Sequence, residues 1–193
     1  KGYFLSYLDN IYGTDMSKEH IDMFLNGAGD ELLSKAMAVH SSSMLSYNMF
    51  SWINKTHPFV WNNAKYTQAF FEVKIKTLFK SPSPANLDVL LVDEDFKNAL
   101  FIESKFTEYL SGKGFDISDS YDIAENNYAG IDWSPLIQYC RKRYRGSKLY
   151  YEGIKQNVCH LVALNNLKVA VIRGVRESVI SPQSKFTINA LKQ

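Results

Sequence analysis

Three ionisable residues at the ends of two adjacent apolar runs have the types and spacing of a hydrolytic metal site. Asp88 lies near the start of the apolar run 87–92. The next apolar run ends in Glu103, Ser104 and Lys105. In a strand, residues two apart point to the same face, so Glu103 and Lys105 project together. Two neighbouring carboxylates repel each other, and a shared divalent cation removes that penalty. Mg²⁺ prefers oxygen ligands and keeps waters and substrate phosphates, while a lysine beside it can orient the attacking water. These residues therefore predict metal-assisted hydrolysis of a phosphodiester.

The acid-x-Lys tripeptide is a weak signal by itself, because the chain contains it at 72–74, 95–97 and 103–105. The second copy falls in a polar turn, and no strand that begins with an acid precedes the first copy. Only the third copy follows such a strand, so its context selects it. A structural ion pair at the edge of a sheet is the alternative interpretation. Apolar neighbours such as Leu90 and Phe101 indicate central strands and favour the metal site.

Two predicted strands and the turn between them must position these side chains. The strands cover 87–92 and 99–105, and a polar turn over 93–98 joins them. Strands this close in sequence pair as a hairpin. The start of one strand then faces the end of the next, so Asp88 and Glu103 can meet at one end of the sheet.

A third predicted strand, over 71–79, precedes the hairpin. Its apolar and polar residues alternate, which indicates one buried face and one solvent-exposed face. The apolar face comprises Phe71, Val73, Ile75 and Phe79, and the exposed face comprises Glu72, Lys74 and Lys76.

Two helices are predicted before these strands. Ser17 has the position of an N-cap, and Gly27 that of a helix stop. Asp30 is the predicted N-cap of a second helix that continues to Trp52, with the serines at 41–43 as a candidate break.

The second half of the chain predicts a helix over 148–165 and a last strand over 168–172. The apolar stripe of that helix comprises Ile154, Val158, Leu161, Val162 and Asn165. A helical crossover makes the last strand parallel to its neighbour. Residues 107–147 carry several glycines and acids and one predicted helix near 135–144, so we interpret them as an insertion. The order of elements predicts an α/β fold with a mixed central sheet flanked by helices, in one domain over 1–193.

The arrangement of Asp88, a hairpin and Glu103-Ser104-Lys105 resembles the PD-(D/E)XK nuclease superfamily, which has the restriction-endonuclease-like fold. The order of helix, three strands, helix and strand also matches the core of that superfamily. The stretch 103–108, with His40-Ser41-Ser42 upstream, resembles a bacterial subgroup of these proteins. The resemblance covers about residues 30–106 and 148–173.

The resemblance implies a role for each matching residue. Asp88 and Glu103 would be metal ligands, the backbone carbonyl of Ser104 a third ligand, and Lys105 the catalytic lysine. Gln156 would be the polar residue that some members direct at the site. The cofactor would be Mg²⁺, for which Mn²⁺ can substitute. One departure is that the Pro-Asp of the superfamily reads Leu-Asp here, with Pro84 displaced.

Other acids near the motif have open roles. Some members use a glutamate from a helix, and Glu31 could fill that place. Glu72 is a rival from the first strand, although a solvent-exposed strand face explains it better. The role of Glu108 is also open.

The densest positive segment lies in the predicted insertion, where it alternates with aromatic residues such as Tyr144. Its cations are Arg141, Lys142, Arg143, Arg145 and Lys148. Lysine and arginine neutralise phosphates, and aromatic rings stack on exposed bases. We therefore expect this segment to bind nucleic acid, with an ordinary solvated surface as the alternative.

Composition narrows the class of protein without deciding its function. The chain has 193 residues, a formal net charge of +2, and two cysteines without a CxxC pair. We expect reduced thiols, no membrane span and a cytoplasmic location. The predicted function is a Mg²⁺-dependent endonuclease whose substrate is DNA, with RNA still open and a homodimer conceivable. The alternative is a catalytically inactive nucleic-acid-binding or interaction module of the same fold.

Overall fold

The structure, a computed structural model, is an α/β protein with four α-helices and two small antiparallel sheets among the residues it describes. The described residues are 2–13, 15–27, 31–80, 83–106, 115–144, 153–174 and 179–180. They divide into two compact units. The first lies within Lys1–Val73 and Asn86–Phe106, and the second within Lys74–Ala85 and Thr107–Pro182.

Serine caps define the two helices of the first unit. Helix α1 spans Lys18–Leu25, and the Ser17 side chain accepts a hydrogen bond from the His20 backbone N–H, as its sequence predicts. Helix α2 spans Ser42–Phe50 with Ser41 as its N-cap. The predicted break at the serines is therefore confirmed, because a serine oxygen that caps the new helix satisfies its first backbone donors. Glu31 precedes α2 in a turn, so the prediction that a helix begins there is wrong; the proposed cap, Asp30, lies outside the described residues.

Helices α3 and α4 belong to the second unit. Helix α3 spans Ser134–Tyr144, where the sequence predicts the helix of the insertion. Helix α4 spans Ile154–Ile172, a single run of 19 residues. Within the described part of the chain, no helix has both the length and the apolarity that a membrane span requires.

The predicted strand over 168–172 is wrong, because these residues form the end of α4. The β-branched residues near 170 favour a strand locally. Burial at Val158, Val162, Asn166 and Ala170 nevertheless recurs every four residues to the end of the helix, and this packing overrides the local preference. Further along the chain, Ile180 forms an antiparallel bridge with Ile75.

The five strands form two separate sheets. Strands β1 (Phe59–Trp61) and β2 (Ala64–Tyr66) make a short hairpin. Strands β3 (Gln68–Ile75), β4 (Ala85–Val92) and β5 (Ala99–Ile102) make a three-stranded sheet in that order. The predicted hairpin of β4 and β5 is confirmed, whereas the mixed sheet with a parallel strand is wrong for the described residues.

An aromatic core holds the first unit together. The ring of Phe71 on β3 lies 5.5 Å from the ring of Phe24 on α1 and 5.5 Å from that of Tyr47 on α2, between centroids. All three side chains are buried. Aromatic pairs at such distances add to the free energy of apolar burial, so these contacts fix both helices on the sheet.

A buried amide joins three segments of the second unit. The Asn166 side chain donates to the carbonyls of Lys76 at 3.0 Å and Thr77 at 2.8 Å, and it accepts from the Ala129 backbone N–H at 3.0 Å. The sequence pattern predicts that the neighbouring residue Asn165 lies on the apolar face of the helix. This prediction is wrong, because Asn166 is the fully buried residue.

Replacement of Asn166 by alanine should destabilise the protein by about 2–4 kcal/mol, because one buried and two partly buried backbone groups lose their partner. Urea unfolding followed by circular dichroism measures this loss. The matched control is Asn165→Ala, since the Asn165 amide bonds only within α4, to the Leu161 carbonyl. Equal unfolding midpoints for the two variants would contradict this assignment.

Candidate functional site

The pairing of β4 with β5 places two carboxylates opposite each other. Val89 faces Ile102 in the antiparallel ladder, so one step further along both chains Asp88 faces Glu103. Side chains of directly opposed residues lie on the same face, with Cβ atoms about 5 Å apart. The Ser104 backbone N–H donates to Asp88 Oδ2 at 2.7 Å, which extends this contact beyond the last ladder pair. The predicted meeting of Asp88 and Glu103 is therefore present in the fold.

Burial and a like charge make ionisation of Glu103 unfavourable. Its pKa is raised to about 7, first by desolvation and then by the negative charge of the neighbouring Asp88 carboxylate. Lys105 opposes this rise through a direct ion pair between its ammonium group and Glu103 Oε1. The two side chains are 30% and 16% exposed, so this pair is only partly open to water. A carboxyl with a pKa this high exchanges its proton readily for a cation near neutral pH.

The first turn of α2 supports the same end of the sheet. The Ser104 hydroxyl donates to the backbone carbonyl of Ser42 at 3.1 Å, and Ser104 is buried. Its backbone N–H is bonded to Asp88, so Ser104 links β4, β5 and α2. This position agrees with the sequence prediction that Ser104 points away from Glu103 and Lys105, and all three residues follow the end of β5 at Ile102.

Glu72 is buried beside this site, so the prediction that it lies on a solvent-exposed strand face is wrong. It is 4% exposed, and its backbone φ of 53° is left-handed within β3. This conformation costs a residue other than glycine about 1–3 kcal/mol, and it interrupts the alternation of the strand. Lys74 is buried as well. A Cβ added at Gly27 would lie 3.2 Å from the Glu72 side chain, so a glycine there leaves room for the carboxylate.

Two polar side chains hold the Glu72 carboxylate. The Asn86 amide donates to Glu72 Oε2, and the Ser43 hydroxyl lies 3.4 Å from Glu72 Oε1. Asn86 is two residues before Asp88 on β4, so both point to the same face of the sheet. Neither residue is predicted from the sequence to belong to the site. The i, i+2 spacing was the available signal for Asn86, whereas nothing in the sequence indicates Ser43.

Glu31 completes the group of acids from the other side. Ser43 Oγ lies 2.8 Å from Glu31 Oε2, and Lys35 forms an ion pair with Glu31 Oε1 at 2.5 Å. The pKa of Glu72 is raised to about 8, first by burial and then by the negative charges of Glu31 and Asp88. The four carboxylates therefore form one electrostatically connected group, called here the acid cluster: Glu31, Glu72, Asp88 and Glu103.

None of the remaining predicted site residues belongs to the acid cluster. Gln156 is half-buried in the first turn of α4, in the second unit, and the acid cluster is drawn from the first. Arg141 binds Asp122 at 2.5 Å and Asp119 at 2.8 Å, so its guanidinium group has a structural role. Lys142 and Arg143 are exposed on α3. Arg145, Lys148 and Glu108 lie outside the described residues.

The donor set of the Asp88–Glu103 pair fits a hard cation. Among the described residues, no three histidine, cysteine, aspartate or glutamate side chains form a metal-binding group. Mg²⁺ usually takes only one or two carboxylates from a protein and completes its shell with water and substrate. Two carboxylates beside the Ser104 backbone offer oxygen ligands alone, which agrees with that preference.

Comparison with known proteins returns no matching family, no matching curated protein and no matching solved structure. The function is therefore inferred from the geometry of the site.

Replacement of Glu72 by glutamine should stabilise the protein at high pH. The unfolded chain releases this proton near pH 4.5 and the folded chain near pH 8, so stability falls as pH rises between these values. Glutamine keeps the shape of the side chain without its charge. We expect thermal unfolding in EDTA to show a gain of about 2–4 kcal/mol above pH 8, and little change near pH 4.

The exposed residue Glu125 supplies the control for this experiment, because Glu125→Gln removes a carboxylate without relieving burial. A loss of stability in Glu72→Gln at every pH would instead indicate that the charge of Glu72 is held in a favourable structural interaction.

Proposed function

We propose that this protein is a metal-dependent nuclease of the PD-(D/E)XK type that hydrolyses phosphodiester bonds in DNA. The observation that carries the proposal is the pairing of the Asp88 and Glu103 carboxylates across β4 and β5, with the Lys105 ammonium group in contact with Glu103. A pair of neighbouring carboxylates beside a lysine supplies the protein groups for metal-assisted phosphodiester hydrolysis. Cleavage of both strands of a duplex would need one active site for each strand, and a homodimer would supply the two sites.

Each side chain has a defined task in this reaction. Asp88 and Glu103 would hold the cation, together with the backbone carbonyl of Ser104. When bound, Mg²⁺ polarises the scissile phosphate and lowers the pKa of a water molecule. Lys105 would orient the attacking water and stabilise the negative charge that develops on the phosphate. The partial burial of Lys105 strengthens this interaction, because a lower local dielectric weakens screening.

The restriction-endonuclease-like core is part of the same proposal. Its support is the order of α2, the three antiparallel strands β3 to β5, and the long helix α4. Asp88, the fourth of eight residues of β4, and Glu103, the first residue after β5, lie just beyond the last pair of the β4–β5 ladder, which supports the proposal. Gln156 belongs to the proposal only through that resemblance.

A catalytically inactive nucleic-acid-binding module is a second candidate. The observation that favours it is the direct ion pair between Lys105 and Glu103, which is also how a purely structural pair would look. The two candidates differ in whether the pair opens for a cation and supports turnover.

Lys105→Ala and Glu103→Ala should each abolish cleavage of plasmid DNA in Mg²⁺ while the thermal unfolding transition stays cooperative. The chain supplies a matched control in its second acid-x-Lys copy, where Lys97 forms an exposed ion pair with Asp95 at 2.9 Å. Lys97→Ala should therefore cleave like the parent protein. Full cleavage by both site variants would refute the site. Parallel incubations with single-stranded DNA and with RNA define which nucleic acid is the substrate.

Millimolar Mg²⁺ or Mn²⁺ should raise the midpoint of thermal unfolding, and Asp88→Ala should lose this shift. Glu103 holds its proton up to a pH of about 7, and a cation must displace that proton to bind. The shift should therefore be larger near pH 8 than near pH 6. The control is Asp95→Ala, which removes an exposed aspartate from the neighbouring turn. An equal shift in the Asp88 and Asp95 variants would place cation binding elsewhere.

A further inference from the structure

The hairpin of β1 and β2 presents an aromatic and cationic tip to solvent. Trp61 is 59% exposed, and Asn62, Asn63 and Lys65 around the turn are exposed as well. Both asparagines have positive φ, at 47° and 65°, as in the tight turns that join two-residue hairpins. The tip therefore holds an indole ring, two amides and an ammonium group in a defined arrangement.

Packing anchors the base of the hairpin and leaves its tip uncovered. The Phe59 ring lies 5.8 Å from that of Phe50 at the end of α2 and 6.5 Å from that of Tyr66, between centroids. Trp61 is two residues beyond Phe59 on the same face, opposite Ala64 in the ladder. The small side chain of Ala64 leaves one side of the indole open.

The charge around the hairpin suits a polyanion. Residues 32–71 contain three lysines and two histidines, and not one aspartate or glutamate. Two of the lysines bind acids from outside this stretch, Lys35 to Glu31 and Lys55 to Glu94. Lys65, on the hairpin itself, is exposed. Single exposed lysines bind phosphate weakly, but an aromatic ring nearby adds a second contact with the same strand.

The lengths of α2 and β4 give the separation between the base of the hairpin and the acid cluster. Helix α2 touches Glu72 through Ser43 and the hairpin through Phe50, a span of about 10 Å at 1.5 Å per residue. Strand β4 carries Asp88 near one end, and the Val92 carbonyl at its other end accepts from Thr67 N–H at the base of the hairpin. That span is about 13 Å. Both spans end at the base of the hairpin and equal about three to four nucleotides at the duplex rise of 3.4 Å, and Trp61 lies a further two residues, about 7 Å, beyond Phe59 on β1.

We propose that the β1–β2 hairpin is a nucleic-acid-binding arm, in which Lys65 contacts a phosphate and Trp61 stacks on a base a few nucleotides from the bond that the acid cluster attacks. This inference rests on the proposed function, since it assigns the binding of the same substrate. It adds the hairpin to the basic segment on α3, where Arg141 is bound to aspartates and Lys142 and Arg143 are exposed.

Binding without cleavage tests the arm. In a Glu103→Ala background with EDTA, fluorescence anisotropy of labelled short duplex and single-stranded DNA gives the Kd over a range of salt concentrations. Adding Trp61→Ala and Lys65→Ala together should weaken binding to duplex DNA, to single-stranded DNA or to both by about tenfold or more. Lys65→Ala alone should reduce the slope of log K against log salt by about 0.9, the value for one phosphate contact.

The matched control is the pair Tyr12→Ala and Lys18→Ala, which removes an exposed ring and an exposed cation elsewhere in the first unit. This control should bind DNA like the Glu103→Ala parent. Equal affinity in the hairpin variant and the parent overturns the arm alone. A hairpin variant that changes from dimer to monomer in sedimentation, with unchanged affinity, overturns it in favour of a contact between copies of this chain.

The same measurements separate the arm from the proposed function. A Glu103→Ala parent that binds neither form of DNA, together with a wild-type protein that cleaves no nucleic acid, refutes both. Cleavage that depends on Lys105, with affinity that is insensitive to the hairpin, leaves the nuclease intact and refutes only the arm.

Discussion

The register of β4 against β5 is the constraint on which the acid cluster depends. A shift of one residue would move Glu103 to the opposite face of the sheet from Asp88. The turn between the strands fixes this register, because the Asp93 carboxylate accepts hydrogen bonds from the Lys97 backbone N–H and the Asn98 side chain, each at 2.7 Å. The carboxylate of Asp93, just after β4, thus sets the turn, and the resulting pairing brings the carboxylates of Asp88 and Glu103 together beyond the last pair of the β4–β5 ladder.

The cluster has more negative than positive groups, and its parts compensate for this in different ways. Glu31 has the Lys35 ammonium group, while Glu72 has the neutral donors Asn86 and Ser43. Neutral donors stabilise a buried carboxylate less than a full charge does, so Glu72 keeps a pKa near 8. Glu72 also responds to Asp88, and a cation bound there would make ionisation of Glu72 easier. The left-handed backbone at Glu72 adds to the energy that the aromatic core of α1, α2 and β3 must offset.

The parts of this arrangement that follow from local pattern could be predicted, and the parts that depend on tertiary contacts could not. Apolar runs and a polar turn predict the β4–β5 hairpin, and with it the meeting of Asp88 and Glu103. The alternating pattern of β3 gives the wrong environment for Glu72, because both faces of this strand are covered: Phe71, Val73 and Ile75 are buried as predicted, and Glu72 and Lys74 are buried as well. The end of α4 shows the same limit, since buried positions four residues apart, such as Asn166 and Ala170, outweigh a β-branched composition.

Charge patterns in the sequence have a comparable ambiguity. A dense positive run such as 141–143 indicates an open basic surface, yet Arg141 is satisfied by two aspartates about twenty residues earlier in the chain. A short window cannot contain such partners, so the density of cations within it overstates the free charge. The stretch 32–71 is sparser in lysine but has no acids of its own, so any neutralising partner must come from another segment. Glu31 and Glu94 do this for Lys35 and Lys55. The density of charge along the sequence thus decides neither segment, and the hairpin is favoured instead by the exposed indole of Trp61 near the exposed ammonium group of Lys65.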